Sequence, residues 1–311
     1  EFLIAGGARP IIYAIYRTVL NAGEKVLFPV PSWNNNHYTH MNSGDYSHQV
    51  VVETKPENNF MPNASDLAPY VKDVAMVSLC SPLNPTGTTF TKESLTEICD
   101  LILAENARRG PGVKPLYLLY DQIYWALTFG GVKHHDPVTL RPEMRAYTIF
   151  VDGISKSLAA TGVRVGWAMG PKRIIDKMKS ILSHVGAWAP KAEQVATARY
   201  LNNLDQYDKF LVDIKDKVNS RLVAFHKGIQ SLKAKGYRVD SIAPQAAIYL
   251  TIQLALHGQK TAEGNVLSTT KDVTSYILNE AKVAVVPFNA FGSSSDSNWY
   301  RLSVGTCKIE D

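Results

Sequence analysis

The chain has 311 residues, of which 45% are hydrophobic, 20% charged and 10% aromatic, and its formal net charge is +5. This composition excludes wholesale disorder and a collagen-like repeat, and the length predicts one large domain with a second, smaller one. No apolar run approaches the roughly 18 residues of a membrane span, the three cysteines are too scattered for a disulfide framework or a zinc site, and the basic pair Arg108-Arg109 is too short for a nucleic-acid footprint.

Short apolar segments alternate with longer amphipathic stretches through the first two thirds of the chain. This rhythm predicts an α/β fold whose βα units build a mainly parallel sheet. The predicted strands are Phe2–Ala5, Lys25–Phe28, His48–Glu53, Val74–Cys80, Leu116–Tyr120, Thr148–Asp152 and Gly166–Met169. The clearest helix follows Thr91, a predicted N-cap, and ends at Gly110-Pro111, because its apolar residues recur with the 3.6-residue period.

The last third of the chain has a different character. A lysine-rich helical tract runs from about Ala189 to Ala234 and is followed by strand-like and helical segments of a smaller α+β domain. These segments are strands at Tyr237–Ser241, Ala247–Ile252 and Val283–Val286, and a helix at Thr269–Ala281. We place the domain boundary inside the helical tract, with residues 1–204 in the large domain and 205–311 in the small one.

Polar residues follow several predicted strands, at the edge of an open α/β sheet where ligands bind. Gly6 and Gly7 precede a helix whose free N–H groups favour a phosphate, although a purely structural glycine turn has the same pattern. Asn84 lies in the Pro/Gly turn SPLNPTG, where it is either a turn residue or a ligand-binding amide. Asp121 ends a fully apolar strand, and its carboxylate needs a helix N-terminus or a bound cation as partner.

Lys156 stands between Ser155 and the nearby Arg164, in a short polar stretch flanked by apolar sequence. A desolvated lysine has a lowered pKa and acts as a nucleophile toward aldehydes, whereas a structural lysine reaches solvent. An amine, a carboxylate for a pyridinium, an arginine beside a phosphate turn and an aromatic ring, Trp33, together match pyridoxal phosphate. Each of these residues alone has a structural alternative, but together they predict that the protein binds pyridoxal phosphate.

The chain resembles the fold-type I pyridoxal-phosphate aminotransferases, specifically the class I/II group that contains aspartate and aromatic aminotransferases. The motifs that carry the resemblance occur in the family's order: SPLNPTG, YDQIYW, DGISKSLAATGVRVGW, GPK and YRLSVG. The resemblance implies a three-layer αβα large domain with a seven-stranded sheet, a smaller α+β domain, and a homodimer. It also implies an N-terminal arm and a final helix that we do not find in the sequence. The few, scattered cysteines fit a reducing compartment, and we expect a cytoplasmic protein.

Carried over residue by residue, the resemblance implies that Lys156 holds the cofactor as a Schiff base and moves the substrate proton. Asp121 would pair with the pyridinium nitrogen, while Tyr124 and Asn84 would hydrogen-bond the ring's phenolic oxygen and lower the pKa of the imine. The remaining cofactor contacts would be ring stacking by Trp33 and phosphate binding by Gly7, Ala8, Ser155 and Arg164. Arg301 would bind the substrate α-carboxylate, with Asn84 and Trp33 as further substrate contacts.

Three residues near these motifs have two interpretations each. Arg9 would add positive charge near the phosphate or cap the protein surface, and Tyr249 and Phe291 would line the pocket or, by preference, pack in the core. His134-His135-Asp136 has no further ligand at suitable spacing, so we assign it to loop contacts and predict no metal site.

The predicted reaction is a two-step, ping-pong transfer of an amino group between an L-amino acid and a 2-oxo acid, as in class EC 2.6.1.-. Two alternatives use the same motifs: a pyridoxal-phosphate lyase or decarboxylase, and the cofactor-binding effector domain of a transcriptional regulator. The particular amino acid is not readable from the sequence, because no Arg or Lys is required to meet a second carboxylate.

Overall fold

A computed structural model describes residues 1–33 and 35–308. A seven-stranded sheet forms its centre, in the order β1-β7-β6-β5-β4-β2-β3. Within the described residues β7 is the one strand of this sheet that runs opposite to the other six. The strands are β1 (Phe2–Ala5), β2 (Val26–Val30), β3 (Gln49–Glu53), β4 (Met76–Cys80), β5 (Tyr117–Asp121), β6 (Thr148–Gly153) and β7 (Gly166–Met169). The prediction of a seven-stranded, mainly parallel sheet is confirmed, with strand ends shifted by one or two residues.

Helices cover both faces of this sheet. They are α1 (Ala8–Val19), α2 (Asn35–Ser43), α3 (Ala64–Leu67), α4 (Lys92–Arg109), α5 (Pro137–Leu140), α6 (Ile154–Ser157) and α7 (Lys172–Val185). Apolar residues of α1 and α7 pack on one face and those of α4 on the other, which gives three αβα layers. The predicted cap of α4 is present, because the Thr91 side chain accepts a hydrogen bond from the Ser94 N–H at 3.1 Å.

The C-terminal part contains a small antiparallel sheet in the order β10-β11-β9-β8. Its elements are α8 (Lys191–Leu201), α9 (Leu204–Ala234), β8 (Val239–Ser241), β9 (Tyr249–Leu254), α10 (Thr270–Tyr276), β10 (Val286–Pro287) and β11 (Trp299–Ser303). The predicted bounds of the strand at Val283–Val286 are wrong, since β10 begins only at Val286. The predicted boundary at 204/205 coincides with the start of α9 and stays a prediction.

One hydrophobic cluster joins the two parts of the molecule. Val218 and Leu222 of α9 pack with residues of β9 and β11, and the same cluster includes Tyr124 and Leu127 from the segment after β5. The small sheet is therefore fixed against the carboxyl edge of the large sheet. No helix in the described part of the chain combines the length and apolar character needed to cross a membrane.

Candidate active site

A cavity of about 540 Å³ lies at the carboxyl edge of β4, β5 and β6, between the first turn of α1 and the small sheet. Nine of the ten predicted site residues line it: Ala8, Trp33, Asn84, Asp121, Tyr124, Ser155, Lys156, Arg164 and Arg301. The tenth, Gly7, lies directly behind Arg164. Side chains from a span of almost 300 residues thus meet in one place, as expected for polar groups that follow neighbouring parallel strands.

One end of the cavity is a positively charged cradle at the N-terminus of α1. Gly7 has φ 93°, and a Cβ built on it would lie 2.2 Å from Nη2 of Arg164, so the guanidinium occupies the space of a side chain. Arg164 donates hydrogen bonds to the carbonyls of Gly6 (3.0 Å) and Thr161 (2.6 Å). The first turn of α1 contains no acidic residue and no side-chain cap. Free amide groups, a helix dipole and a fixed arginine are the elements of a phosphate site.

Asp121, the last residue of β5, lies in the floor of the cavity. Its carboxylate accepts a hydrogen bond from the Ile123 N–H at 3.0 Å and forms no salt bridge with any described residue. Burial raises the pKa of Asp121 to about 6, an effect that the Ile123 N–H and the charge of Lys156 oppose. A carboxylate without a counter-ion at this depth fits a protonated ring nitrogen.

Lys156 lies on the short helix α6, directly after β6, and its Nζ atom is 5.8 Å from the ring centre of Tyr124. Burial lowers the pKa of its amine, the positive charges of Arg9 and Arg301 lower it further, and Asp121 opposes the shift. The site therefore disfavours the charged amine relative to a lysine in water, and the neutral amine is the form that reacts with aldehydes and accepts protons.

The other end of the cavity is built around Arg301. Its Nη1 donates to Asn84 Oδ1 at 3.0 Å, and its guanidinium lies over the rings of Tyr249 (4.7 Å) and Phe291 (5.0 Å). The Nε atom of Arg301 is buried and has no hydrogen-bond partner among the described residues. A guanidinium that lines the cavity and stacks on two aromatic rings is suited to receive a carboxylate.

Two further features complete the wall of the cavity. The guanidinium of Arg9 lies over the ring of Trp33, with its Cζ atom 5.6 Å from the ring centre. Tyr124 Oη and Tyr249 Oη are 2.6 Å apart. The residues that we did not predict as contributors to the cavity are Ile12, Cys80, Ile123 and Thr161, which the sequence around the recognised motifs does not single out.

The residues present fit pyridoxal phosphate. The cradle at Gly7, Ala8 and Arg164 matches the phosphate, the unpaired Asp121 matches the pyridine nitrogen, and the Lys156 amine matches the cofactor aldehyde. His134 and Asp136 lie elsewhere: Asp136 caps α5, and the His134 ring packs near Tyr120 and Trp125.

The family described as aminotransferase class I and II matches residues 1–311, the whole chain. The chain belongs to this family. It is 29% identical to an aspartate aminotransferase of Bacillus sp. (strain YM-2), over 95% of this chain and 70% of that protein. It is also 29% identical to an aspartate aminotransferase of Geobacillus stearothermophilus, over 98% of this chain and 72% of the relative.

Solved structures agree with this assignment. The aspartate aminotransferase of Rhizobium meliloti superposes with a TM-score of 0.85 at 25% identity, covering 100% of this chain and 73% of its own. The aromatic aminotransferase of Pyrococcus horikoshii gives the same TM-score at 26% identity, covering 99% and 75%. The protein is a pyridoxal-phosphate-dependent aminotransferase that transfers an amino group between an amino acid and a 2-oxo acid, as its sequence predicts.

Proposed function

We propose that this aminotransferase takes L-aspartate as an amino donor and that Lys156, Asp121 and Tyr124 are its catalytic residues. The donor is proposed because similar proteins from Bacillus and Geobacillus bear the name aspartate aminotransferase. The observation that carries the residue roles is the single cavity that Lys156, the unpaired Asp121 and Arg301 all line.

Pyridoxal phosphate, when bound, supplies an electron sink for the charge that develops at the substrate Cα. In the proposed arrangement Asp121 holds the ring nitrogen protonated and Trp33 stacks on the ring. The N–H groups of Gly7 and Ala8, together with Ser155 and Arg164, bind the phosphate. Tyr124 would donate a hydrogen bond from its hydroxyl to the ring's phenolic oxygen, and the Asn84 amide would donate a second one.

Lys156 Nζ is the proposed base and acid of the reaction. Because burial lowers the pKa of the amine, Nζ is ready to accept the proton from the substrate Cα and to return it on the cofactor side. Arg301 would bind the α-carboxylate through its guanidinium and so restrict how the substrate is oriented relative to Lys156. The same arginine serves the amino acid and the 2-oxo acid in turn, and this shared site corresponds to a ping-pong order.

We also propose that the enzyme works as a homodimer in the cytoplasm. Phe2 and Ile4 of the edge strand β1 expose large apolar side chains, as do Val185 and Trp188 near the end of α7. This apolar surface adjoins the cradle, because the Gly6 N–H bonds the Ala187 carbonyl at 2.8 Å. A second subunit would remove it from water. The three free cysteines suit a reducing compartment.

The deciding experiment follows the absorption spectrum of the protein with bound pyridoxal phosphate. Addition of L-aspartate should shift the visible band toward the ultraviolet, and 2-oxoglutarate should restore it, with glutamate as the product. Lys156→Ala should abolish this cycle while it retains the fold. A spectrum that responds to no amino acid, or release of ammonia or carbon dioxide in place of amino-group transfer, would contradict the proposal. Sedimentation equilibrium tests the dimer.

A further inference from the structure

Two buried tyrosines link the large sheet to the small one across the cavity. Tyr124 follows β5 and Tyr249 opens β9, and their hydroxyl oxygens are 2.6 Å apart. The side chains are 2% and 5% exposed, and their rings meet edge to face with centres 5.6 Å apart. The hydrogen bond between them therefore joins parts of the chain that are 125 residues apart.

The backbone around Tyr249 is fixed against the loop that carries Asn84. A Cβ at Gly87, whose φ is 71°, would lie 2.3 Å from the Tyr249 carbonyl oxygen, so that loop and β9 are in direct contact. The Thr251 hydroxyl donates to the Thr86 carbonyl at 2.8 Å, and the Ala247 N–H donates to the Leu127 carbonyl at 2.8 Å. The position of the Tyr249 phenol is therefore set by the packing of both domains.

Burial keeps both hydroxyl groups protonated, and the neighbouring groups act on the two tyrosines in opposite directions. Asp121 and the partly buried thiol of Cys80 raise the pKa of Tyr124, whereas Arg301, which lies over the ring of Tyr249, lowers the pKa of Tyr249. Burial raises the pKa of Tyr124 well above its usual range and raises that of Tyr249 as well. Since one proton occupies the line between the two oxygens, one tyrosine donates and the other accepts.

The direction of this hydrogen bond decides whether Tyr124 can act on the cofactor. If Tyr124 donates to Tyr249, its proton is no longer free for the cofactor's phenolic oxygen. If Tyr249 donates, the Tyr124 oxygen accepts and its own proton is directed into the cavity. Within the described residues Tyr124 is the only hydrogen-bond partner of the Tyr249 hydroxyl.

We propose that Tyr249 is a positioning residue that donates its hydroxyl proton to Tyr124 Oη and so leaves the Tyr124 proton for the phenolic oxygen of pyridoxal phosphate. This inference rests on the proposed role of Tyr124. Hydrogen bonds in a chain strengthen one another, so the Tyr249 hydroxyl makes Tyr124 a better donor. A better donor stabilises the phenolate and lowers the pH at which the bound cofactor loses its imine proton.

The test is a double-mutant cycle on the enzyme loaded with pyridoxal phosphate, read by the pH at which the visible band of the bound cofactor titrates. We expect Tyr124→Phe to raise this pH by about one to two units, because a hydrogen bond to a charged oxygen is lost. Tyr249→Phe should raise it by about 0.3 to 0.5 units, and should add nothing in the Tyr124→Phe background. Tyr300→Phe is the matched control, since the buried Tyr300 hydroxyl on β11 has no partner among the described residues, and it should leave the titration unchanged.

The outcomes separate this inference from the proposal on which it rests. If Tyr124→Phe shifts the titration and Tyr249→Phe leaves it unchanged or lowers it, the role of Tyr249 is wrong. An equal upward shift by Tyr249→Phe with and without Tyr124 also overturns it, because the effect then bypasses Tyr124. If Tyr124→Phe itself causes no shift, the proposed role of Tyr124 fails, and the role of Tyr249 fails with it.

Discussion

The two ends of the cavity differ in the contacts that hold their arginine side chains. At the phosphate end, Arg164 is held by backbone carbonyls and packs where Gly7 has no side chain. At the carboxylate end, Arg301 is held by side chains, with Asn84 at its edge and two aromatic rings on its surface. Arg164 therefore fits into the space left by the missing side chain of Gly7, whereas Arg301 is positioned by contacts with surrounding side chains.

The two ends of the cavity also differ in how long their proposed ligands, the cofactor phosphate and the substrate carboxylate, remain bound. A cofactor phosphate remains bound through the whole reaction and suits a site of rigid backbone groups at a helix N-terminus. In the proposed mechanism two substrates exchange at Arg301 in every cycle, and a guanidinium stacked on two aromatic rings can receive either carboxylate. Changes at the two ends should therefore separate cofactor affinity from substrate affinity.

The largest effect is expected from Gly7→Ala. The new methyl group would overlap Nη2 of Arg164, and alanine is strained at φ 93°, so the cradle should open. We expect the Kd of pyridoxal phosphate to rise about 30- to 1000-fold, which corresponds to roughly 2 to 4 kcal/mol. Fluorescence titration of the cofactor-free protein measures it. Gly23→Ala is the control, because Gly23 has φ 81° and no atom within 4 Å of its Cβ position. An equal loss of affinity in both variants would show that strain alone is responsible.

Arg301→Lys should act on the other end. Lysine keeps the charge but loses both the planar fork and the stacking on Tyr249 and Phe291. We expect the KM for the amino acid and for the 2-oxo acid to rise about 10- to 100-fold, while the Kd of pyridoxal phosphate stays unchanged. Steady-state kinetics and cofactor titration measure the two quantities. A comparable loss of cofactor affinity would refute the separation, and Arg173→Lys on the exposed surface of α7 serves as the control.

A smaller effect is expected from Asp121, which lies between the two ends. Its pKa of about 6 exceeds the ordinary value of 3.8, so the folded protein without cofactor holds the proton more tightly than the unfolded chain. The stability that Asp121 contributes by holding its proton is therefore fully present below about pH 4 and is lost as the pH rises through 6. Above that pH the titration of Asp121 no longer changes the free energy of unfolding. We expect the free energy of unfolding to fall by about 1–3 kcal/mol over this interval.

Asp121→Asn should remove that part of the pH dependence in urea unfolding of the cofactor-free protein. Burial also raises the pKa of Asp152 to about 7, so Asp152→Asn is the parallel variant that isolates the second carboxyl group. Identical pH profiles for the wild type and Asp121→Asn would contradict the expectation. Bound pyridoxal phosphate should offset the Asp121 effect, because the ring nitrogen supplies the missing counter-charge.

The predictable parts of the molecule are those that depend on neighbours in sequence. The strands, the Thr91 cap and the turn at Gly6-Gly7 follow from local pattern, and parallel strands bring their carboxyl ends together without further information. The role of Arg301 as a substrate-binding residue was predicted from the family resemblance alone. The sequence around it does not distinguish it from an arginine on the protein surface.

The parts that were not predictable depend on contacts between distant segments. The sequence favours core packing for Tyr249 and Phe291, and both are buried members of hydrophobic clusters. That both rings also lie on Arg301 was not predictable, because a sequence pattern indicates burial but not which residues are buried together. The bond between Tyr124 and Tyr249 joins two domains and has no sequence signal. The late start of β10 has a similar cause, since its pairing with β11 is set by the partner strand.

The contact between Gly87 and the Tyr249 carbonyl constrains how this enzyme can change over generations. No residue with a side chain fits at position 87 unless β9 retreats, and a retreat would carry Tyr249 away from Tyr124. New substrate preferences are therefore expected to arise by replacement of other side chains that line the cavity, such as Arg9. We therefore expect substitutions in the loop that carries Gly87 to be accepted only together with changes in β9.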